Sequence, residues 1–384
     1  MKVGIVAGEK SGDYLGAELV SALKQRYPHA EFVGLAGPLM QAEGVRTLAE
    51  MDKISIMGIM GALKGLRDIL TIRRTIKQTM LTWRPDVFIG IDVPDFNLSL
   101  EIALREAGIP TVHYVSPTVW AWRGKRIHKI KRAASLMLTL FPFEETYYQK
   151  QSVRVKYVGH PLAEQVQSWT VSDALKQQLL RAADKKLISL LPGSRMSEVS
   201  RLAPLMLAGA TELATRFTDI DFVIPAANPK IARYLIEDLG ADSHGVRVIE
   251  GHSRDILYLS HLTVLASGTA ALEAGLFAKP MVVMYKVAKI EEWYAARSMT
   301  VSHFSMPNHL TNPPAVPELI QSNATVESLV AEVTSLLTDQ HRYQKMQRAL
   351  SAIAPALNEH SGELACDAIE ALIQDTPQAG NTVC

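Results

Sequence analysis

The chain has 384 residues, which at about 150 residues per domain suggests two domains and leaves ample material for a core. Forty basic residues against 39 acidic ones leave a formal charge of +1, so bulk charge points to no nucleic acid and no strongly acidic partner. With 48% hydrophobic and 21% charged residues, the composition is that of a folded globular chain, not a disordered, collagenous or coiled-coil one. The two cysteines, Cys366 and Cys384, supply neither a disulfide framework nor a thiolate zinc site, so a reducing cytosol is expected. The apolar run Met1–Ala7 is too short for a secretory signal, and folding is expected to begin at the first residue. No window of about 20 residues is both apolar and free of charge, which leaves peripheral contact as the expected form of any membrane association.

In chain order, Val3–Ala7 is an apolar run ending at Gly8, and leucines at 15, 19 and 23 then repeat with a helical period. Strand, glycine-rich turn and helix in that order open a Rossmann-like unit. Further apolar runs at Glu31–Ala36, Val87–Ile91, Thr111–Val115, Leu136–Leu140 and Val155–Val158 predict parallel strands buried on both faces. A polar helical stretch, Ser172–Lys186, follows Pro161 and places a boundary within 161–186. A second series then begins at Leu187–Leu191 and continues through Asp221–Pro225, Val246–Ile249, Leu262–Ala266 and Pro280–Met284. From Ala324 onward the pattern is helical up to a polar tail, Gly380–Cys384. The expected fold class is therefore α/β, with two doubly wound domains and a helical C-terminal segment. The first spans 1–165, with helices over 340–375 as a possible completion, and the second spans 185–340. Doubly wound sheets bind ligands outside the carboxyl ends of their strands, so two in tandem are expected to face one another across a cleft.

The informative residues are those just after strands. Gly8-Glu9-Lys10-Ser11-Gly12-Asp13 joins the first strand to a helix, where free amides favour an anion or a sugar hydroxyl. The same residues also read as a tight turn with Ser11 or Asp13 as helix cap, and their spacing fits neither GxGxxG nor a Walker loop. Ile91-Asp92-Val93-Pro94-Asp95-Phe96-Asn97 sets two carboxylates beyond an apolar strand. Asp92, at the strand tip, is the better general-base candidate, while helix capping accounts for at least one of the pair. The intervening residues and proline disfavour a metal-binding Asp-x-Asp.

His113–Arg123, with Trp120 and Trp122, suits a sugar face or an acyl chain, or is simple packing. The lysines and arginines over 125–132 form either a solvated face or an attraction for anionic headgroups. In Leu191-Pro192-Gly193-Ser194-Arg195, Gly193 permits close backbone approach and Arg195 offers a fixed cation to phosphate. Ser267-Gly268-Thr269-Ala270-Ala271-Leu272-Glu273 is the sharpest pattern, a turn of small residues opening a helix and a natural diphosphate seat. Glu273, one helical turn in, could accept ribose hydroxyls or be an ordinary surface glutamate. Ile54–Lys77 mixes Leu63, Leu66, Ile69 and Leu70 with Arg67 and Arg73, which reads equally as an interfacial membrane helix or as an amphipathic helix on the sheet.

Taken in order, these segments, with Phe141-Pro142-Phe143-Glu144, Glu198-Val199 and Pro307-Asn308, resemble the lipid-A-disaccharide synthase family of inverting GT-B glycosyltransferases over nearly the whole chain. The resemblance implies transfer of 2,3-diacylglucosamine from its UDP derivative to 2,3-diacylglucosamine 1-phosphate (lipid X), giving a β-1,6-linked disaccharide and UDP, with no metal and no cofactor. It makes Asp92 the base. Gly193, Ser194, Arg195 and the turn Ser267, Gly268, Thr269, Ala270 would hold the diphosphate, Glu273 the ribose, and Ser11, Asp95 and Asn308 would lie at the acceptor or sugar. Acylated substrates imply docking on the cytoplasmic leaflet of the inner membrane through Leu63, Leu66, Ile69, Leu70, Arg67 and Arg73. Lys10 and Gly61 depart from the family pattern, which puts the detailed acceptor contacts in question. A UDP-sugar 2-epimerase and a non-catalytic sugar-nucleotide or lipid-binding module are the rival readings. Pattern alone allows the C-terminal helices, Ala324–Gln374, to return to the first domain or to reach a partner chain in a homodimer.

Overall fold

The computed structural model describes residues 1–51, 62–122, 124–180, 185–287 and 303–376, with the backbone alone for 62–66. The chain divides into two units, Met1–Pro161 joined by the segment from Leu357 onward, and Leu162–Ala356.

In the first unit the strands are β1 (Lys2–Ala7), β2 (Glu31–Leu35), β3 (Arg46–Thr47), β4 (Val87–Ile91), β5 (Thr111–Tyr114), β6 (Leu136–Thr139) and β7 (Val155–Tyr157). They form a parallel sheet in the order β3-β2-β1-β4-β5-β6-β7. The inner strands β4 and β5 are buried along their whole length because helices cover both faces, leaving no solvent side that would call for alternation. The helix Ala62–Trp83 sets Ile72, Ile76 and Met80 against Phe88, Leu100 and Leu104. Burying a side chain such as Ile76 or Met80 stabilises the fold by about 1.5–3 kcal/mol.

The second unit has β8 (Lys186–Leu191), β9 (Ile220–Ala226), β10 (Val246–Glu250), β11 (Leu262–Ala266), β12 (Met281–Tyr285) and β13 (Glu318–Ile320), in the parallel order β10-β9-β8-β11-β12-β13. In each sheet the strand order reverses beside the first strand, between β1 and β4 and between β8 and β11. Ligands of doubly wound sheets bind outside such switch points. The loops that leave these four strands begin at Gly8, Asp92, Pro192 and Ser267.

Three differences from the sequence expectations have physical causes. The edge strands β3 and β13 are two and three residues long, too short for periodicity to mark. The helix expected over 172–186 runs from Asp173 to Leu179, capped by Ser172, whose hydroxyl accepts from the Leu175 amide. The helices over 340–356 lie with the second unit, and the return to the first begins at Leu357 rather than near 340. The Leu357 carbonyl accepts from His160 N–H at 2.9 Å, and the helix Ser361–Asp375 packs along Lys10–Arg26 of its own chain.

Candidate active site

In the first unit, Ile91 pairs with Ala7 on one side and Tyr114 on the other, which brings the ends of β1, β4 and β5 together. Beyond Ile91 the backbone leaves the β region sharply: Asp92 has φ 50° and Val93 φ 42°, both left-handed. Beyond Tyr114, Val115 at 78° and Thr118 at 48° do the same. Left-handed backbone at a β-branched residue costs about 1–3 kcal/mol, and such strain persists where the surrounding structure enforces it, most often at functional sites. Here the enforcement comes from a proline-started helix, Pro94–Glu106, packed against β4 and β5. Gly90 allows this closeness, since a Cβ there would lie 2.1 Å from Glu101 Oε1. The Asp92 side chain is partly exposed at the resulting elbow.

Neighbouring candidates divide clearly. Asp95 is exposed, and its carboxylate accepts from Arg126 at 2.8 Å. Ser11 is partly exposed in the first turn of Lys10–Arg26. Asp13, in contrast, is buried and caps the short helix Pro38–Ala42, accepting from the Leu39 and Met40 amides at 3.0 and 3.1 Å. The capping of the following helix expected from Asp13 therefore serves another helix. Trp120 and Trp122 are half-buried, and Trp120 packs edge-on to Phe143 with ring centres 4.8 Å apart while its indole donates to Glu144 at 3.0 Å. Glu144 is buried, and desolvation pushes its carboxyl up to about 7, an effect moderated by the hydrogen bonds from Trp120, Ser116 and backbone amides. A buried pair, His113 with Glu101 at 2.7 Å, lies behind the elbow; burial raises the Glu101 carboxyl, and His113 draws it back down.

The two turns of the second unit differ in electrostatics. Gly193, at φ 125°, closes a loop in which Glu198 accepts from the amides of Ser194 at 3.2 Å and Arg195 at 3.5 Å. Those amides are thus already bound to a carboxylate. This corrects the expectation for the Ser194 amide alone; the loop also presents the exposed Arg195 guanidinium, 3.8 Å from Glu198. A glutamate three residues after the helix N-cap, Arg195, was the legible signal.

At the other turn, the helix Thr269–Leu276 begins with no side-chain cap and no acidic residue in its first turn. Among the described residues, no atom lies within 4 Å of where a Cβ on Gly268 would stand. The first amides of a helix, with its dipole, favour an anion in general. Ser267 departs from its expected role: its hydroxyl donates to the Phe304 carbonyl at 3.0 Å, so its proton holds the 304 loop. Glu273 accepts from Arg254 Nε at 3.0 Å; burial raises its carboxyl and Arg254 counters this. Nothing in the sequence links Arg254 to Glu273, because the two residues lie on different helices.

Asn308 also departs from expectation. Its Nδ2 donates to the Val316 carbonyl at 2.9 Å and to Glu318 at 2.8 Å, while its Oδ1 accepts from the Ala315 and Val316 amides at 3.0 and 2.9 Å. With its polar atoms engaged by its own chain, it braces the segment leading into β13 and does not offer itself to a sugar. Glu318 completes the brace by accepting from Phe304 N–H, Ser305 N–H and Ser305 Oγ.

Of the expected membrane segment, 54–61 and the side chains of Leu63 and Leu66 lie outside the described residues. Leu70 is 44% exposed and Arg67 is exposed, with Arg73 partly so, whereas Ile69 packs against the core and belongs to the internal face. Among the described residues, no helix is long and apolar enough to cross a membrane, and no group of three His, Cys, Asp or Glu side chains could hold a metal ion.

Two solved structures share this architecture. An S. aureus MnaA–UDP co-structure superposes with a TM-score of 0.70 at 16% identity over 98% of both chains. UDP-GlcNAc 2-epimerase from Neisseria meningitidis bound to UDP-GlcNAc superposes with 0.65 at 16% identity, over 98% of this chain and 100% of that one. The fold is thus of the GT-B class, two doubly wound parallel-sheet units. Within that class the sequence is specific: the family described as lipid-A-disaccharide synthetase matches residues 3–371. Lipid-A-disaccharide synthase of Pseudomonas fluorescens (strain Pf0-1) is 43% identical over 98% of this chain and 99% of its own length. That of Azotobacter vinelandii is 45% identical over 88% and 90%. The chain belongs to the lipid-A-disaccharide synthase family, glycosyltransferases of lipid A biosynthesis.

Proposed function

We propose that this protein transfers 2,3-diacylglucosamine from its UDP derivative to the 6-hydroxyl of 2,3-diacylglucosamine 1-phosphate, with inversion at the anomeric carbon. The observation that carries the reading is the strained elbow holding Asp92 beyond β4, next to the left-handed turns after β5. Asp92 takes the acceptor proton as the hydroxyl oxygen attacks the anomeric carbon, and the bond from that carbon to the diphosphate oxygen breaks. A positioned base contributes roughly 10²–10⁴-fold. The departing UDP carries the charge that must be neutralised, a role for the Thr269 and Ala270 amides and the Arg195 guanidinium. Preorganised donors of this kind contribute about 3–4 kcal/mol each. Glu273, oriented by Arg254, receives the ribose hydroxyls, and Ser11 and Asp95 line the acceptor side. The site asks for no metal or cofactor in this scheme.

Both substrates are acylated, so the enzyme works as a peripheral protein on the cytoplasmic leaflet of the inner membrane. Arg67, Leu70 and Arg73, with Leu63 and Leu66, meet the lipid. A homodimer is compatible with this reading and is checked by light scattering in detergent.

The test is UDP release from UDP-2,3-diacylglucosamine in mixed micelles containing a chelator, with and without acceptor. Acceptor-dependent release that falls at least about 100-fold in Asp92→Asn, with the fold intact, is expected. Release without acceptor, an epimeric product, or full activity of Asp92→Asn overturns the reading. A product retaining the donor's anomeric configuration overturns inversion.

A further inference from the structure

We propose that Asn97 is the positioning residue of the elbow, and that its side chain, rather than the strand end itself, sets where the Asp92 carboxylate sits. Asn97 is fully buried in the first turns of the helix Pro94–Glu106. Its Nδ2 donates to the Ile91 carbonyl at 3.2 Å and the Asp92 carbonyl at 2.8 Å, and its backbone N–H donates to the Val93 carbonyl at 3.0 Å. One residue therefore grips three successive carbonyls, those of the last strand residue and of both left-handed residues. Because Nδ2 faces two acceptors, the amide orientation follows from the network.

The grip is needed where it is placed. Val93 is β-branched and partly packed on the core, so at φ 42° it pulls toward ordinary backbone, and relaxation there would swing Asp92 away from its place. Gly90 and Glu101 fix the helix that carries Asn97, since Asn97 Cβ and Cγ lie 3.0 Å from where a Gly90 Cβ would stand. Asn97 Oδ1 is buried with no hydrogen-bond partner, so half of the carboxamide goes unused and the residue is present for its donors. Aspartate has the same shape without those donors, and serine retains a single, shorter one.

The inference rests on Asp92 as the base. Asp92→Asn tests that assignment by itself, because turnover surviving there sinks the base role while the Asn97 series is read against the parent enzyme. The experiment measures kcat and KM for both substrates, and UDP affinity, in Asn97→Ala, Asn97→Asp and Asn97→Ser, each with thermal unfolding. It repeats them in Asn97→Ala combined with Val93→Gly. A misplaced base predicts kcat lower by about 10–100-fold, with either KM and the UDP affinity within about threefold of the parent. Asn97→Asp is expected to lose most, since a carboxylate would face two carbonyl oxygens. Glycine at 93 relieves the strain that Asn97 opposes and is expected to recover at least about fivefold of the lost kcat. A folded Asn97→Ala with kcat within twofold of the parent overturns the proposal. So does a loss that appears equally in KM, a loss that Val93→Gly leaves unchanged, or failure of both Asn97→Ala and Asn97→Ser to fold.

Discussion

Glu144 is buried beneath the Trp120 indole, and desolvation lifts its carboxyl from an ordinary 4.5 to about 7. The folded state therefore retains a proton that the unfolded chain has released, and stability falls as pH rises between about 4.5 and 7. The shift corresponds to a loss on the order of 3 kcal/mol across that window. Burial raises Glu101 and Glu273 as well, which adds slope of the same sign. Chemical denaturation at pH 5 and pH 8 is expected to show the parent less stable at pH 8 and Glu144→Gln with a distinctly flatter dependence. An equal slope in both would remove Glu144 as its source. Phe141-Pro142-Phe143-Glu144 was visible in the sequence as a motif, but its carboxyl is defined by partners at Trp120 and Ser116, which are too distant in sequence for spacing to connect.

In the helix Ala62–Trp83, one face packs on the sheet as the amphipathic reading expected, and the other is exposed. Ile72, Ile76 and Met80 recur at helical spacing and are buried, while Arg67 and Leu70 are exposed. Leu70→Ser is therefore expected to reduce recovery on anionic vesicles with little change in unfolding temperature. Ile76→Ala is expected to cost about 2–5 kcal/mol and leave vesicle binding of the folded protein alone. Flotation and calorimetry on the two variants check this, and unchanged flotation of Leu70→Ser would remove that residue from the membrane face. Among loops, the Ser267–Ala270 turn was legible as a helix start because small residues follow an apolar strand there. The 193–195 loop looked equivalent, yet Glu198 folds back to take its amides, a choice made by side-chain geometry.

At the scale of the molecule, the chain leaves its first unit at Pro161 and returns at Leu357, so that unit is completed by residues far along the sequence. The returning helix presents Ala365, Ile369 and Leu372 inward, with Gly362 close against Ala22. Arg26 adds ion pairs to Asp367 at 2.6 Å and Glu370 at 3.0 Å on the partly exposed rim. Exposed pairs contribute about 0–1 kcal/mol, so the apolar contact is the stronger tether. Ile369→Ala is expected to lower first-unit stability by about 2–5 kcal/mol, against less than about 1 kcal/mol for Arg26→Ala. Hydrogen exchange along β1 and Lys10–Arg26 compares the two, and a larger effect from Arg26→Ala would reverse the ranking.

The sequence by itself determined the class of fold, two parallel sheets with glycine-rich and acidic loops at their strand ends, because apolar period and turn chemistry are local properties. It also placed Asp92 at a strand tip and the Ser267–Ala270 turn at a helix start for the same reason. Only the tertiary structure decided which polar groups remain for a ligand. Asn308 is saturated by Val316 and Glu318, Ser267 is held by Phe304, and Glu273 is joined by Arg254. The left-handed backbone of Asp92 and Val93, with Asn97 closing on it, belongs to the same category. A hydrogen bond has one geometry and few partners, and which partner arrives is set by the packing of whole elements.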